Sequence, residues 1–368
     1  MTRGTTAAPT TEVRDLSALA PSKGRDLAPR RAGSGRAASG RSLAFLAVVV
    51  VVLVLACAAS LAVGARGLPL ETVWQAFTSF NPDDGNHAVV LARIPRTVLG
   101  LLVGAALGLA GAAMQGVARN PLADPGIMGV NAGAALAVVA GIHVLGVSAI
   151  AGYIWFAFIG AAVAAVVVYL VASLGRDGAT PVKLALAGAA LNAGLYSLMN
   201  AILVSSEDTW DRFRFWQVGG IAGREWSVFL PVLPFLVVGA LIVLAAGRIL
   251  NSLALGDDVA RGLGQNVTLA RAVIAVGIVL LCGSATALAG PIAFIGLVIP
   301  HAVRFFTGPD YRWILPFSLV LSPALLIVAD VIGRVAMLPG EVPAGIMTAL
   351  VGAPVFVWLV RRGKGAGL

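Results

Sequence analysis

Apolar residues in this chain come in runs rather than alternating with polar ones. From residue 43 to the C-terminus, stretches of 18 or more mostly apolar residues recur between short polar segments. As an α-helix, each run is long enough to cross a hydrocarbon core about 30 Å thick. The strands of a membrane barrel would alternate apolar and polar positions, and that pattern is absent. The expectation is therefore an all-α, polytopic membrane protein. Ten spans are expected, at roughly 43–63, 96–117, 126–145, 149–172, 182–204, 227–247, 269–289, 291–305, 314–333 and 345–360. The eighth is short, and a partly re-entrant piece is the alternative there.

Residues 1–42 break the pattern. They are rich in Ala, Gly, Ser, Pro and Arg, without apolar periodicity, and carry eight Lys/Arg against three acids. The expectation is a disordered, basic cytoplasmic tail. A secretory signal is the rival, but the run at 43–63 exceeds a typical signal core and no convincing cleavage site follows. The domain plan is then tail 1–42, membrane domain 43–362 and a short C-terminal tail 363–368.

Composition agrees with the runs. The chain has 368 residues, 59% of them hydrophobic and 12% charged, with a mean hydropathy of +0.93. A soluble domain could not hide that much apolar surface. Cys57 and Cys282 both lie inside apolar runs and read as buried thiols, not a disulfide framework. A net charge of +9 would suggest nucleic acid for a soluble chain. Here it reads as loops that set membrane orientation, and no nucleic-acid partner is expected.

Ten spans put both termini on one face. With the termini inside, nineteen Lys/Arg fall in inner segments and seven in outer ones. The bias for basic residues in cytoplasmic loops favours that orientation, strongly with the tail and weakly without it. The outer minority includes Arg93, Arg96 and Arg334. Small residues recur within the spans. "GAALGLAG" (104–111) places Gly104, Gly108 and, one residue past it, Ala112 on one face, and "GVNAG" (129–133) does the same with Gly129 and Gly133. Such stripes favour close helix packing in lipid. "GSATALAG" (283–290) matches "GAALGLAG" at five of eight positions. On this topology the two spans run in opposite directions, so an inverted repeat is a candidate, and chance is its rival in Gly/Ala-rich helices.

Chemistry is sparse. No phosphate-binding G-x-x-x-x-G-K-[ST] loop exists, and His87, His143 and His301 show no metal-ligand spacing. Neither catalysis nor a cofactor is expected of this chain. Asp330 is the one acid clearly inside a span, with Arg334 one turn later, and a local ion pair is the plain reading. So few intramembrane carboxylates argue against an ion-coupled secondary transporter. Asn192, Tyr196 and Asn200 form a polar stripe on span five, which suits either helix packing or an aqueous path. "LGDDVARGLG" (255–264) puts Leu255, Val259 and Leu263 on one face and Asp257, Asp258 and Arg261 elsewhere, with Gly256 and Gly264 at the ends. A short amphipathic helix there suits a partner's groove better than a lipid surface.

Taken in order, "RIPR" (93–96), "GAAMQ" (111–115), "RNPLADPGIMGVNAGAA" (119–135), "LGDDVARGLG", "GPIAFIGLVIPHAVR" (290–304), "LLIVADVIGR" (325–334) and "EVPAGIMTALVGAPVFVWLVRR" (341–362) resemble the FecCD permeases. These are the inner-membrane permease subunits of type II ABC importers for iron-siderophores, haem and cobalamin. The likeness covers about residues 43–362, and "RFRFWQVGGIAGR" (212–224) is similar to the ferric-siderophore branch. It implies ten helices, a second permease subunit (the same chain or a sister), two ATPase subunits inside and an extracytoplasmic substrate-binding protein outside. It implies that Arg93, Arg96 and Arg334 dock that binding protein, with Arg334 also claimed by Asp330. It assigns Leu255, Gly256, Asp257, Val259, Ala260, Arg261, Leu263 and Gly264 to ATPase coupling. It places Asn192, Tyr196 and Asn200 on the translocation pathway. Haem or cobalamin cargo is the alternative within the family, which supplies no role for the basic tail.

Overall fold

The computed structural model describes residues 34–148, 150–174 and 180–363. In chain order the helices are α1 (Ser34–Ala62), α2 (Leu70–Thr78), α3 (Gly85–Ala118), α4 (Val130–Leu145), α5 (Ile150–Ser173), α6 (Pro181–Ser205) and α7 (Glu207–Gln217). They continue with α8 (Trp226–Phe229), α9 (Leu233–Ala245), α10 (Gly247–Ala254), α11 (Asp257–Gly262), α12 (Val267–Ala289), α13 (Ile295–Thr307), α14 (Tyr311–Ala336) and α15 (Ala344–Gly363). Among the described residues seven segments are long and apolar enough to cross a membrane. Three shorter apolar helices, at Val130–Leu145, Ile295–Thr307 and Ala344–Trp358, complete the ten expected positions. The chain is a multi-pass, all-helical membrane protein.

Two boundaries differ from expectation. The first helix begins at Ser34, inside the segment read as tail, and the compact body begins at Ser42. Residues 34–41 include Arg36, Ala37, Ala38 and Arg41, good helix formers that extend an already nucleated helix. The rest of the tail, and residues 364–368, lie outside the described residues. The second span starts at Gly85, not near residue 96, so Arg93, Pro95 and Arg96 all lie within one 34-residue helix. Its start is fixed by Asp84, whose side chain accepts the Asn86 amide at 2.8 Å. Its end is a left-handed Arg119 followed by Asn120-Pro121. Asn266 and Asp310 cap α12 and α14 in the same way.

α3, α12 and α14 are the most buried spans and form the centre, whereas α1 and α6 expose most of their surface. The glycine stripe of α3 explains how closely the centre packs. A Cβ on Gly104 would stand 2.4 Å from the Pro323 backbone, and one on Gly111 would sit against the Gly296 carbonyl. Helix pairings also repeat. α3 packs along α14 as α12 packs along α5, α4 meets α5 as α13 meets α14, and α5 meets α6 as α14 meets α15. That recurrence of pairings is what a repeated unit would produce. Cys57 and Cys282 are free thiols.

Candidate functional site

Arg96 lies within α3, and Arg119 caps the C-terminal end of that helix 23 residues later, about 35 Å away at 1.5 Å per residue. That exceeds the hydrocarbon core, so the two arginines mark opposite ends of the bundle.

At the first end Asp330, 1% exposed, accepts from two arginines. Arg96 grips it bidentately, Nε to Oδ2 at 3.0 Å and Nη2 to Oδ1 at 2.8 Å, and Arg334 Nε donates to Oδ2 at 2.9 Å. Arg96 Nη1 also donates to Glu341 at 2.7 Å. Arg334, itself 2% exposed, donates further to the Ser60 carbonyl at 2.7 Å and the Ser60 hydroxyl at 3.0 Å, which ties α1 to α14. So Asp330 and Arg334 do pair one turn apart, but as part of a larger cluster. In this conformation Arg334 reaches an incoming protein only if that cluster opens. Arg93 diverges from Arg96 and donates to the carbonyls of Leu61 at 2.7 Å and Arg66 at 2.6 Å, where α1 ends.

Two cavities adjoin this cluster, of about 530 and 750 Å³. Arg96, Arg224 and Glu341 line both. Together they are walled by six arginines (66, 93, 96, 212, 224 and 334) against Glu225, Asp330 and Glu341. Arg212 pairs with Asp208 at 3.0 Å, and Arg224 Nε donates to the Leu288 carbonyl at 3.0 Å.

At the opposite end, α11 spans less than the expected segment. Val259 lies within it, and Leu255 and Leu263 lie just outside its two ends, because Gly256 and Leu263 leave the helical conformation. The three are 66%, 48% and 63% exposed in chain order, while Ala260 is fully buried against the body. Gly256 (φ +116°) and Gly264 (φ +81°) turn the chain at its two ends in conformations that favour glycine. Asp257 is clasped by Arg119 of the α3 terminus and by Arg271, whose Nη2 lies at 2.8 Å. Arg119 Nε also donates to the Leu253 carbonyl at 2.6 Å. Asp258 and Arg261 pair on the exposed side at 3.2 Å. Beside this segment Asn251 donates to Asp310 at 2.7 Å, and the Arg312 side chain, with help from Asn251, holds the Asp310 carboxyl down at about 2.

The polar stripe of α6 divides. Asn192 donates to the Gly126 carbonyl at 3.1 Å, bracing the 3-10 turn Pro125–Met128, whereas Tyr196 and Asn200 are exposed. Sequence reasoning missed Arg119 and Arg271 as partners of Asp257, Glu341 as a partner of Arg96, and Asp124, which accepts the Gly126 amide at 2.7 Å. The D-P-G at 124–126 is a readable turn signal; the other partners are too distant in sequence to leave one. Among the described residues no group of three or more His, Cys, Asp or Glu could hold a metal ion.

Comparison with known proteins agrees with this layout. The chain is 46% identical over 330 residues to the ferric enterobactin transport system permease protein FepD of Escherichia coli (strain K12), covering 89% of this chain and 98% of that protein. It is 44% identical over 326 residues to the probable siderophore transport system permease protein YfiZ of Bacillus subtilis (strain 168), with the same coverages. A solved structure presented as an inward-facing metal-chelate type ABC transporter superposes with a TM-score of 0.75 at 28% identity, covering 86% of this chain and 99% of that one. A model of the FecCD transport family matches residues 51–362, from within α1 to the end of α15, and the chain belongs to that family.

Proposed function

We propose that this chain is the permease subunit of an ATP-driven, binding-protein-dependent importer that carries a ferric siderophore across the bacterial inner membrane. The observation that carries the reading is the pair of stations at the ends of the bundle. One end holds an arginine-rich, cavity-lined face. The other presents three exposed apolar side chains, on and beside a short helix clasped to the body. The names of the relatives support iron-chelate cargo.

On this reading both termini are cytoplasmic, and a loaded binding protein docks on the arginine face. Arg93 and Arg96 meet its acidic groups, and Arg334 supports Arg96 through Asp330 or joins the contact when the cluster opens. Separate ATPase subunits grip Leu255, Val259 and Leu263, while Asp257 passes their motion to α3 and α12. A second permease, the same chain or a sister, covers the exposed face of α6, where Tyr196 and Asn200 line the route between the two. The effectors shift the route between outward and inward access only by their differential affinity for those states. Asp330, held between two guanidiniums, is poorly placed for the proton relay of a secondary transporter.

The test is uptake into proteoliposomes holding the permease, its ATPase subunit and a binding protein loaded with a ferric siderophore. Uptake should require ATP and the binding protein. Uptake driven by an ion gradient without the ATPase would overturn the reading.

A further inference from the structure

We propose that Arg224 is an anion-receiving residue at the entrance to the import route, and that its ligand is a negatively charged metal chelate. The inference rests on the importer reading above and adds a site to it. Arg224 stands in the wall shared by the two cavities of the arginine face. Four of the other five arginines are already committed. Arg96 and Arg334 hold Asp330, Arg212 pairs with Asp208, and Arg93 closes the end of α1. Arg224 uses only Nε, on the Leu288 carbonyl, and pairs with no carboxylate among the described residues. A half-buried guanidinium without a counter-ion is costly, and a bound anion would offset that cost with paired, charge-assisted hydrogen bonds.

The surroundings define the ligand further. The smaller cavity, about 530 Å³, falls in the range of small-molecule sites. Beside Arg212 and Arg224 it is lined by Tyr153, Phe215 and Trp216. Trp216 is 4% exposed, and its indole N–H is buried without an acceptor among the described residues. Cationic groups beside aromatic side chains suit a ligand with anionic oxygens and planar apolar surfaces. Ferric iron enclosed by three catecholates has that form, because their six anionic oxygens carry more negative charge than the metal neutralises. An acidic side chain of a docked protein is the other anion that could approach. Arg224 is recessed in the cavity wall, whereas Arg66 and Glu225 stand exposed beside it and would meet such a side chain first.

The experiment uses the complete permease–ATPase complex in nanodiscs. Equilibrium dialysis with radiolabelled iron compares trianionic ferric tris-catecholate with a neutral ferric trihydroxamate of similar size. The trianion should bind about tenfold more tightly at low salt. Arg224→Gln should weaken its binding about tenfold and leave the neutral chelate unaffected, while Arg224→Lys should retain most of the affinity. Affinity for the binding protein, measured in parallel, should be unchanged in both variants, which also shows that they are folded. Equal binding of the two chelates, or unchanged tris-catecholate affinity in Arg224→Gln, would overturn the proposal. So would a loss of binding-protein affinity with chelate binding intact, which would make Arg224 a docking residue. Charge-selective binding through Arg224 in a complex without ATP-driven uptake would support the site and sink the importer reading.

Discussion

Asp330 accepts hydrogen bonds from arginines on two different helices, Arg96 of α3 and Arg334 of α14, and both Asp330 and Arg334 are buried. A buried ion pair gains little net stability when whole, but losing one partner strands the other charge. Asp330→Asn would leave two guanidiniums facing each other. It should cost about 3–5 kcal/mol, read as a lower thermal midpoint of the purified permease in detergent. Glu341→Gln removes a carboxylate that is 38% exposed, and should cost less than about 1 kcal/mol. Similar losses for both would mean that the cluster is more hydrated than its geometry implies. "ADVIGR" shows the Asp330–Arg334 spacing plainly, but Arg96 lies 234 residues away, and nothing local to either position announces that contact.

Among the elements, α3 carries most of the consequence. Its inner half meets α14 and α13 through glycines, so backbone stands against backbone. Gly111→Ala places a methyl group against the Gly296 carbonyl, and neither chain has a flexible side-chain end to move aside. The cost should exceed about 1–3 kcal/mol, and poor accumulation of folded protein in membranes is the expected outcome. Normal accumulation with an unchanged melting point would show that α13 yields more readily than its packing implies. α11 is the reverse case, a short helix whose apolar side is left open. Val259→Asp puts a charge at the centre of that side without touching the Asp257 clasp. Membrane insertion should be normal and co-purification of the ATPase subunit should be lost. Undiminished recruitment would remove the coupling role. The apolar spacing and the two local glycines made these exposed residues legible in advance, although of the three only Val259 lies within the helix as formed. The clasp joins Asp257 to Arg119 and Arg271, on different helices, and came only from packing.

For the whole molecule, the proposed function requires the two stations to communicate across the bilayer through α3 and its neighbours. Arg93→Gln removes a charge from the docking face but keeps a donor for the Leu61 carbonyl. Binding-protein affinity should fall about fivefold at low salt, with the difference shrinking as salt rises. An affinity equal to wild type across the whole salt series would exclude Arg93 from docking. Reversing Arg96 is a poorer test, since a new carboxylate there would face Asp330 and Glu341. Deleting residues 1–33 leaves every described helix intact, and uptake should stay within about twofold, because such a basic tail contributes mainly to orientation. A large loss with normal insertion would reveal a second role for the tail.

By itself the sequence determined the class of molecule, the approximate position of its apolar helices, and the short segment between two glycines that exposes apolar side chains. Those features depend on properties that vary along the chain: the length of an apolar run, the period of a helix, the glycine at a turn. The tertiary structure alone decided that Arg93 and Arg96, three residues apart, serve different ends. It also decided that Asp330 holds two arginines, and that Arg224 stands between two cavities with no carboxylate partner among the described residues. A charge inside a membrane protein takes its meaning from whichever charge is brought against it. That pairing is set by helices meeting across hundreds of residues, not by neighbours in the chain.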